Sequence, residues 1–177
     1  MLNNASKISI IGGSGTGKTT LSESLSKDLE IPVYHIDGIH YKENWVIRNK
    51  TERDKIILDL IKKDKWIIDG TYRSTLQTRV ESSDLTIFLD YSTIAQIKGI
   101  MGRYIKIHGK DRLDMPGCKE KMSFKFFMFV VKWRKVKRPF IFETLEKTDK
   151  NKVLIFKNRR SLNKWYKKEL GKKISVQ

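Results

Sequence analysis

The sequence predicts an α/β fold with a mainly parallel sheet. Three observations point there. Short apolar, β-branched segments alternate with longer helical patterns along the 177 residues. The strand-like run Lys7–Ile11 passes directly into a glycine-rich loop, "GGSGTGKTT", and then into a helical stretch from Thr19 to Glu30. Three of the strand-like runs end in an aspartate: "VYHID" at Asp37, "WIID" at Asp69 and "LTIFLD" at Asp90.

Each element follows in order. The first strand lacks alternation, as a strand buried on both faces should. Pro32 stops the helix that follows the loop. "VYHID" (33–37) reads as the second strand, and "TERDKIILDLIKK" (51–63) as a helix with Thr51 and Asp54 spaced as a capping box. "WIID" and "LTIFLD" are two more strands. A long helix is expected from Ser92 to His108, then a loop, "GKDRLDMPG". "FKFFMFVVKWRKV" (124–136) is helical or buried, and Pro139 opens a further helix. "KVLIFKN" is the fifth strand and "SLNKWYKKEL" the last helix. Repeats, low-complexity tracts and clear linkers are lacking, so the expectation is one domain over 1–177, with a mobile lid or insertion around 105–140.

Composition narrows the class. A hydrophobic content of 39% and 10% aromatics suit a folded domain. No apolar run reaches the roughly 20 residues of a membrane span, and the N-terminus has no basic-then-apolar leader pattern. A cytoplasmic protein with no membrane partner is expected. Cys118 is the single cysteine, which excludes an internal disulfide and a cysteine-based zinc site. The net charge is +17 and unevenly placed. Residues 1–97 balance 13 basic against 13 acidic side chains, while residues 98–177 carry 24 against 7. Such a half attracts polyanions, and weak non-specific nucleic-acid binding is expected from charge alone.

The chemistry starts at the loop. Gly12, Gly17, Lys18 and Thr19 satisfy G-x-x-x-x-G-K-[ST], after an apolar strand and before a helix. Gly12, Gly13, Ser14, Gly15, Thr16, Gly17, Lys18, Thr19 and Thr20 form the expected phosphate cradle: glycines let main-chain N–H groups curl around an anion, and the helix N-terminus adds its positive end. Lys18 should reach the β- and γ-phosphates of ATP, and the Thr19 hydroxyl should ligate Mg2+.

Ligands of open parallel sheets sit beyond the carboxyl ends of the strands, where the three aspartates fall. Asp37 is placed to take a proton from an acceptor hydroxyl. Asp69, before Gly70, could hold Mg2+ through water while the glycine admits a substrate close to the backbone. Asp90, before "YST", reads first as a helix or turn cap. His35 and His40 flank Asp37, but two histidines five apart at a strand end are not a metal-ligand spacing. His35 should share a side with Asp37. Tyr41 and Trp45 either stack on a ring or cover core.

"GGSGTGKTT", "WIIDGTYR" and "IFLDYSTIAQIKGIMGRY" resemble successive landmarks of adenylate-kinase-like P-loop NTPases. "PVYHIDGIHYKENW", "WIIDGTYRSTLQTR" and "GKDRLDMPGC" more closely resemble the topology modulation protein family, of FlaR type, from about Ile8 to Asn158. The resemblance implies a nucleoside-monophosphate-kinase-like fold: a five-stranded parallel sheet with helices on both faces and a lid segment. It implies ATP binding and phosphoryl transfer. It places Arg73 on the acceptor and Arg103 on the transferring phosphates. Adenylate kinases usually carry another arginine four residues before the latter; here that position is Gly99, and Arg112 in the loop is the candidate replacement. "NRRS" resembles the loop against adenine, so Asn158 and Arg159 could touch the base, or Asn158 or Ser161 could simply cap the helix.

Three functions are compatible with these residues. In a small-molecule kinase, Lys18, Asp37, Arg103 and Arg112 carry the transfer and Asp37, Asp69 and Arg73 meet a nucleoside, nucleotide or other small alcohol. The family name and the basic half, including "KWRKVKR" (132–138), suggest a nucleic-acid-associated ATP-binding protein, although no DNA-binding motif is recognisable. The third is a slow ATP-hydrolysing switch.

Overall fold

Apolar runs of four to six residues with no polar face can be buried only between two layers of helices, and that is where the chain puts them. The structure is a computed structural model describing residues 2–175. In chain order it forms β1 (Lys7–Gly12), α1 (Lys18–Leu29), β2 (Val33–His35), α2 (Ile36–His40), β3 (Tyr41–Lys42), β4 (Val46–Ile47), α3 (Lys50–Ile61), β5 (Trp66–Asp69), α4 (Arg73–Ser82), β6 (Leu85–Leu89), α5 (Thr93–Ile107), β7 (Asp111–Arg112), β8 (Met115–Lys119), α6 (Phe124–Glu146), β9 (Val153–Phe156) and α7 (Arg159–Leu170). The main sheet has five strands in the order β2-β5-β1-β6-β9, every neighbouring pair parallel. With β1 in the centre, the chain leaves first to one side and later to the other, so the crevice beyond its carboxyl end is the switch point where such sheets bind ligands.

Alternate residues of the central strands feed two cores. Ile8 and Ile10 of β1 pack with Leu21 and Leu25 of α1 and with Leu162 and Tyr166 of α7. Ile11 and Phe88 face Leu76 and Val80 of α4 and Ile141 and Leu145 of α6. A third cluster joins Ile57 and Ile61 of α3 to Trp66 and Ile68 of β5. Each such side chain contributes about 1.5–3 kcal/mol by leaving water. Among the described residues no helix is long and apolar enough to cross a membrane.

Several local expectations are corrected. The second strand stops at His35, and Asp37 lies in the first turn of α2. The helix at 50–61 is capped by Asn49, whose side chain accepts from Thr51 N–H; Asp54 instead pairs with Lys50 and Ser74. "GKDRLDMPG" is no open loop: β7 and β8 form an antiparallel hairpin. Pro139 opens no new helix, because α6 runs through it unbroken.

A proline inside a helix removes one main-chain donor and costs about 3 kcal/mol. The turns before Pro139 are held from outside by Asp90, at the end of β6. Arg138 donates to both Asp90 carboxylate oxygens, at 2.8 and 2.9 Å, and Arg134 to Asp90 Oδ1 at 3.0 Å and Tyr91 O at 2.7 Å. Asp90 is therefore neither a cap nor a ligand: it anchors α6 to the sheet. The same contacts engage two of the cations of the "KWRKVKR" run. Asp90→Ala should lower the unfolding free energy in urea by about 2 kcal/mol, the scale of charge-assisted hydrogen bonds. An unchanged urea midpoint would show that α6 is held by its apolar face alone.

Candidate functional site

The loop between β1 and α1 takes its shape from contacts behind it. Gly15 and Gly17 have φ of 77° and 88°, the left-handed region that favours glycine. α5 presses its backbone against the loop. A Cβ on Gly13 would lie 1.9 Å from Gln96 Oε1, one on Gly15 2.4 Å from Gln96 O, and one on Gly99 1.9 Å from Gly15 O. This explains Gly99, where the resemblance led to an arginine: no side chain fits between helix and loop. Buried Gln96, which the sequence reading missed, donates to Tyr91 O at 3.1 Å and backs Gly13. Thr71, also missed, fixes the root of the loop. Its hydroxyl accepts from Gly12 N–H at 3.0 Å and donates to Gly12 O at 2.9 Å. Only its place in "IDGTY", two residues beyond a strand end, could have flagged it.

The loop lines a cleft of about 570 Å3. Ser14, Gly15, Thr16, Gly17, Lys18, Thr19 and Thr20 face it, while Gly12 and Gly13 are buried beneath. Gly17 caps α1 with no side-chain bond, leaving the helix's first N–H groups to an anion. Lys18 Nζ donates to Gly13 O at 3.0 Å. Burial holds its ammonium below the ordinary lysine pKa, opposed by the nearby carboxylates of Asp37, Asp69 and Asp114. These residues fit a nucleoside triphosphate: a loop bent by glycines, helix N–H groups that no side chain caps, a lysine with a buried ammonium, and the Thr19 hydroxyl on the rim.

Asp69 lies at the cleft floor but is already engaged. Ser22 Oγ donates to it at 2.8 Å, and His35 Nδ1 stands 3.1 Å from Oδ1, off the line of its ring N–H. His35 Nε2 donates to Glu23 Oε1 at 2.8 Å. Burial alone would lower the histidine pKa; the two carboxylates outweigh it and lift it to about 9, so His35 is an imidazolium at neutral pH. Gly70 does not open a path for substrate. A Cβ there would meet Ile36 Cβ at 2.8 Å, so its missing side chain serves packing.

Over the opposite wall lies the β7–β8 hairpin. Arg112 makes a two-pronged bond with Asp114, Nε to Oδ1 at 3.0 Å and Nη2 to Oδ2 at 2.6 Å. Burial opposes both charges, yet the pairing keeps the Asp114 carboxyl below and the Arg112 guanidinium above its usual pKa. Arg112 Nη2 is also 3.8 Å from Asp37 Oδ2. Arg112 Nε at 3.7 Å and Arg103 Nε at 3.1 Å approach the buried Glu120. Asp37, Arg103 and Arg112, expected together from the sequence, do meet in one cleft; Asp114 and Glu120 were not foreseen. The hairpin rests on the segment that follows α2. Trp45 Nε1 donates to Lys119 O at 3.1 Å and Cys118 Sγ to Lys42 O at 3.3 Å, so Trp45 and its neighbour Tyr41 are cover.

Two expected residues are not brought to the cleft walls. Arg73 is exposed, its guanidinium 4.3 Å from the centre of the Phe140 ring. Asn158 caps α7, accepting from Ser161 N–H at 2.9 Å. Arg159 does line the cleft, beside Leu162, Asn163 and Ile174. Among the described residues no three His, Cys, Asp or Glu side chains are grouped to hold a metal by themselves.

No protein-family model and no curated protein sequence matches the chain. Solved structures do. A shikimate kinase from Acinetobacter baumannii, in complex with shikimate, superposes with a TM-score of 0.63 at 14% identity, covering 98% of both chains. Shikimate kinase from Bacteroides thetaiotaomicron gives 0.59 at 15% identity, over 95% of this chain and 99% of that one. The chain has the fold of these P-loop kinases. At such identities the likeness is one of fold, and it bears out the five-stranded parallel core expected from the sequence.

The contact of α5 with the loop gives a sharp expectation. In an ordinary helix Gly→Ala is stabilising by up to about 1 kcal/mol. Gly99→Ala should instead cost about 1–3 kcal/mol by overpacking and weaken nucleotide binding. Gly102→Ala, three residues on, where a Cβ meets nothing within 4 Å, should be neutral or stabilising. Thermal melts of the two variants check the contrast, and equal shifts would sink it.

Proposed function

We propose that this chain is a magnesium- and ATP-dependent kinase that phosphorylates a small hydroxylated acceptor. The observation that carries the reading is Asp37, half exposed in the cleft between the Lys18 loop and Arg112 of the hairpin. A carboxylate there can accept a hydroxyl proton, and the cations around it can neutralise the charge of a moving phosphoryl group. The shared fold with shikimate kinases supports this class of reaction, and the acceptor is left open among small alcohols, nucleosides and nucleotides. The finer likeness to topology modulation proteins rests on sequence motifs.

In the proposed reaction, Lys18 and the loop N–H groups bind the β- and γ-phosphates. Arg159, with Leu162 and Ile174, takes the base end of the cleft. Asp37 orients the acceptor hydroxyl and takes its proton as the oxygen attacks the γ-phosphorus. Arg103 and Arg112 stabilise the three peripheral oxygens, and the hairpin excludes water, which would otherwise compete as acceptor. The residues beside Thr19 would hold Mg2+, which supplies charge neutralisation of the phosphates. We take the β7–β8 hairpin and its flanks as the lid of a single domain.

The test is ADP release from Mg-ATP across a panel of small hydroxylated compounds. One chemical class should stimulate turnover, and Lys18→Ala should abolish it together with tight ATP binding. Asp37→Asn should keep ATP binding and lower transfer by roughly 10²–10⁴-fold, the span of general base catalysis. Equal transfer rates would remove Asp37 from the chemistry. Stimulation by DNA and by no small acceptor would favour the nucleic-acid reading instead.

A further inference from the structure

We infer that Asp114, carried on the lid hairpin, is the carboxylate that serves the nucleotide-bound magnesium ion beside Thr19, in place of the strand-end Asp69. The inference rests on the nucleotide-site reading above and adds one residue and one linkage to it.

The Thr19 hydroxyl identifies the place. The carboxylate it faces is that of Asp114, with Oγ1 to Oδ2 at 3.5 Å across 95 residues of sequence. Asp69, which sequence logic favours, is engaged elsewhere: Ser22 Oγ donates to it at 2.8 Å, and His35 Nδ1 stands 3.1 Å from its other oxygen. Asp114 is 8% exposed and its partner Arg112 is a phosphate-matching group, able to trade a carboxylate for phosphate oxygens. That exchange would free Asp114 at the moment a triphosphate enters.

The position of Asp114 is built rather than incidental. Its carbonyl oxygen lies against Gly38, where a Cβ would stand only 2.5 Å away. Gly38 follows Asp37, so the seat of the metal-side carboxylate and the proposed base are adjacent residues. Because the protein groups three such side chains nowhere among the described residues, the ion must depend on phosphate oxygens plus one or two protein groups. A carboxylate that arrives with the lid then counts heavily. Magnesium and lid closure become reciprocal: each strengthens the other by the same factor.

The experiment titrates MgCl2 into the chain with ADP and reads ADP affinity by calorimetry; the lid signal is the part of the tryptophan quenching that Trp45→Phe removes, since the chain holds four tryptophans. Asp114→Asn should raise the magnesium midpoint about 10–100-fold, the usual cost of losing a carboxylate partner of a metal site. Its metal-free ADP affinity should hold or improve, and the magnesium-dependent protection of Trp45 should disappear. Asp69→Asn should move the midpoint far less. Gly38→Ala keeps every carboxylate and disturbs only the seat of Asp114, so it should raise the midpoint too, which covers the case in which Asp114→Asn does not fold. An unshifted midpoint in Asp114→Asn, or a shift in Asp69→Asn alone, overturns the assignment while leaving the kinase reading intact. A parent chain with no magnesium-dependent ADP binding overturns both.

Discussion

The backbone of α5 lies directly on the phosphate loop, and much of the site depends on that contact. Three positions, Gly13, Gly15 and Gly99, have no space for a side chain between helix and loop. Because α5 begins just after the Asp90 anchor and ends where the lid hairpin begins, the contact sets two distances at once. It holds the loop in its curl and fixes how far the root of the β7–β8 hairpin stands from that loop. Arg103, on the same helix, inherits its position from this packing.

The architecture was legible because parallel α/β sheets write themselves locally. Strands buried on both faces appear as unbroken apolar runs, and the loop consensus marks the central one. What misled was polarity at the edges of elements. Asp37 continued the apolar run "VYHID" on paper, but the chain turns into a helix after His35, and Gly38 takes up a backbone contact that no strand pattern encodes. Pro139 looked like a helix start because proline usually is one; its tolerance inside α6 comes from arginine contacts to an aspartate over 40 residues away. Of the residues that line the cleft, Lys18 and Thr19 were marked by the loop consensus, Asp37 by its place after an apolar run, and Arg103 and Arg112 by the resemblance. Gln96, Thr71, Asp114 and Glu120 could not be named, since none of them falls in a motif and their places depend on how the elements pack.

The strongly basic half of the chain is balanced inside the fold where it matters. Asp90 takes two arginines of α6, Glu120 stands between Arg103 and Arg112, and Asp114 closes on Arg112. Acidic residues are scarce in the second half, yet two of them, Asp114 and Glu120, lie against the arginines of the cleft. Arg103 and Arg112 are thus paired with carboxylates, which keeps like charges from repelling one another across the cleft.

Thr71 gives the loop a property of a different kind. Its one hydroxyl satisfies both main-chain groups of Gly12, which lies 59 positions earlier in sequence. The first turn of the loop is therefore ordered by the fold itself and loses little conformational freedom when a ligand arrives. A valine in its place would keep the shape of the side chain and leave an N–H and a carbonyl without partners. Thr71, from outside the loop, thus carries part of the work of keeping the loop's root in one conformation.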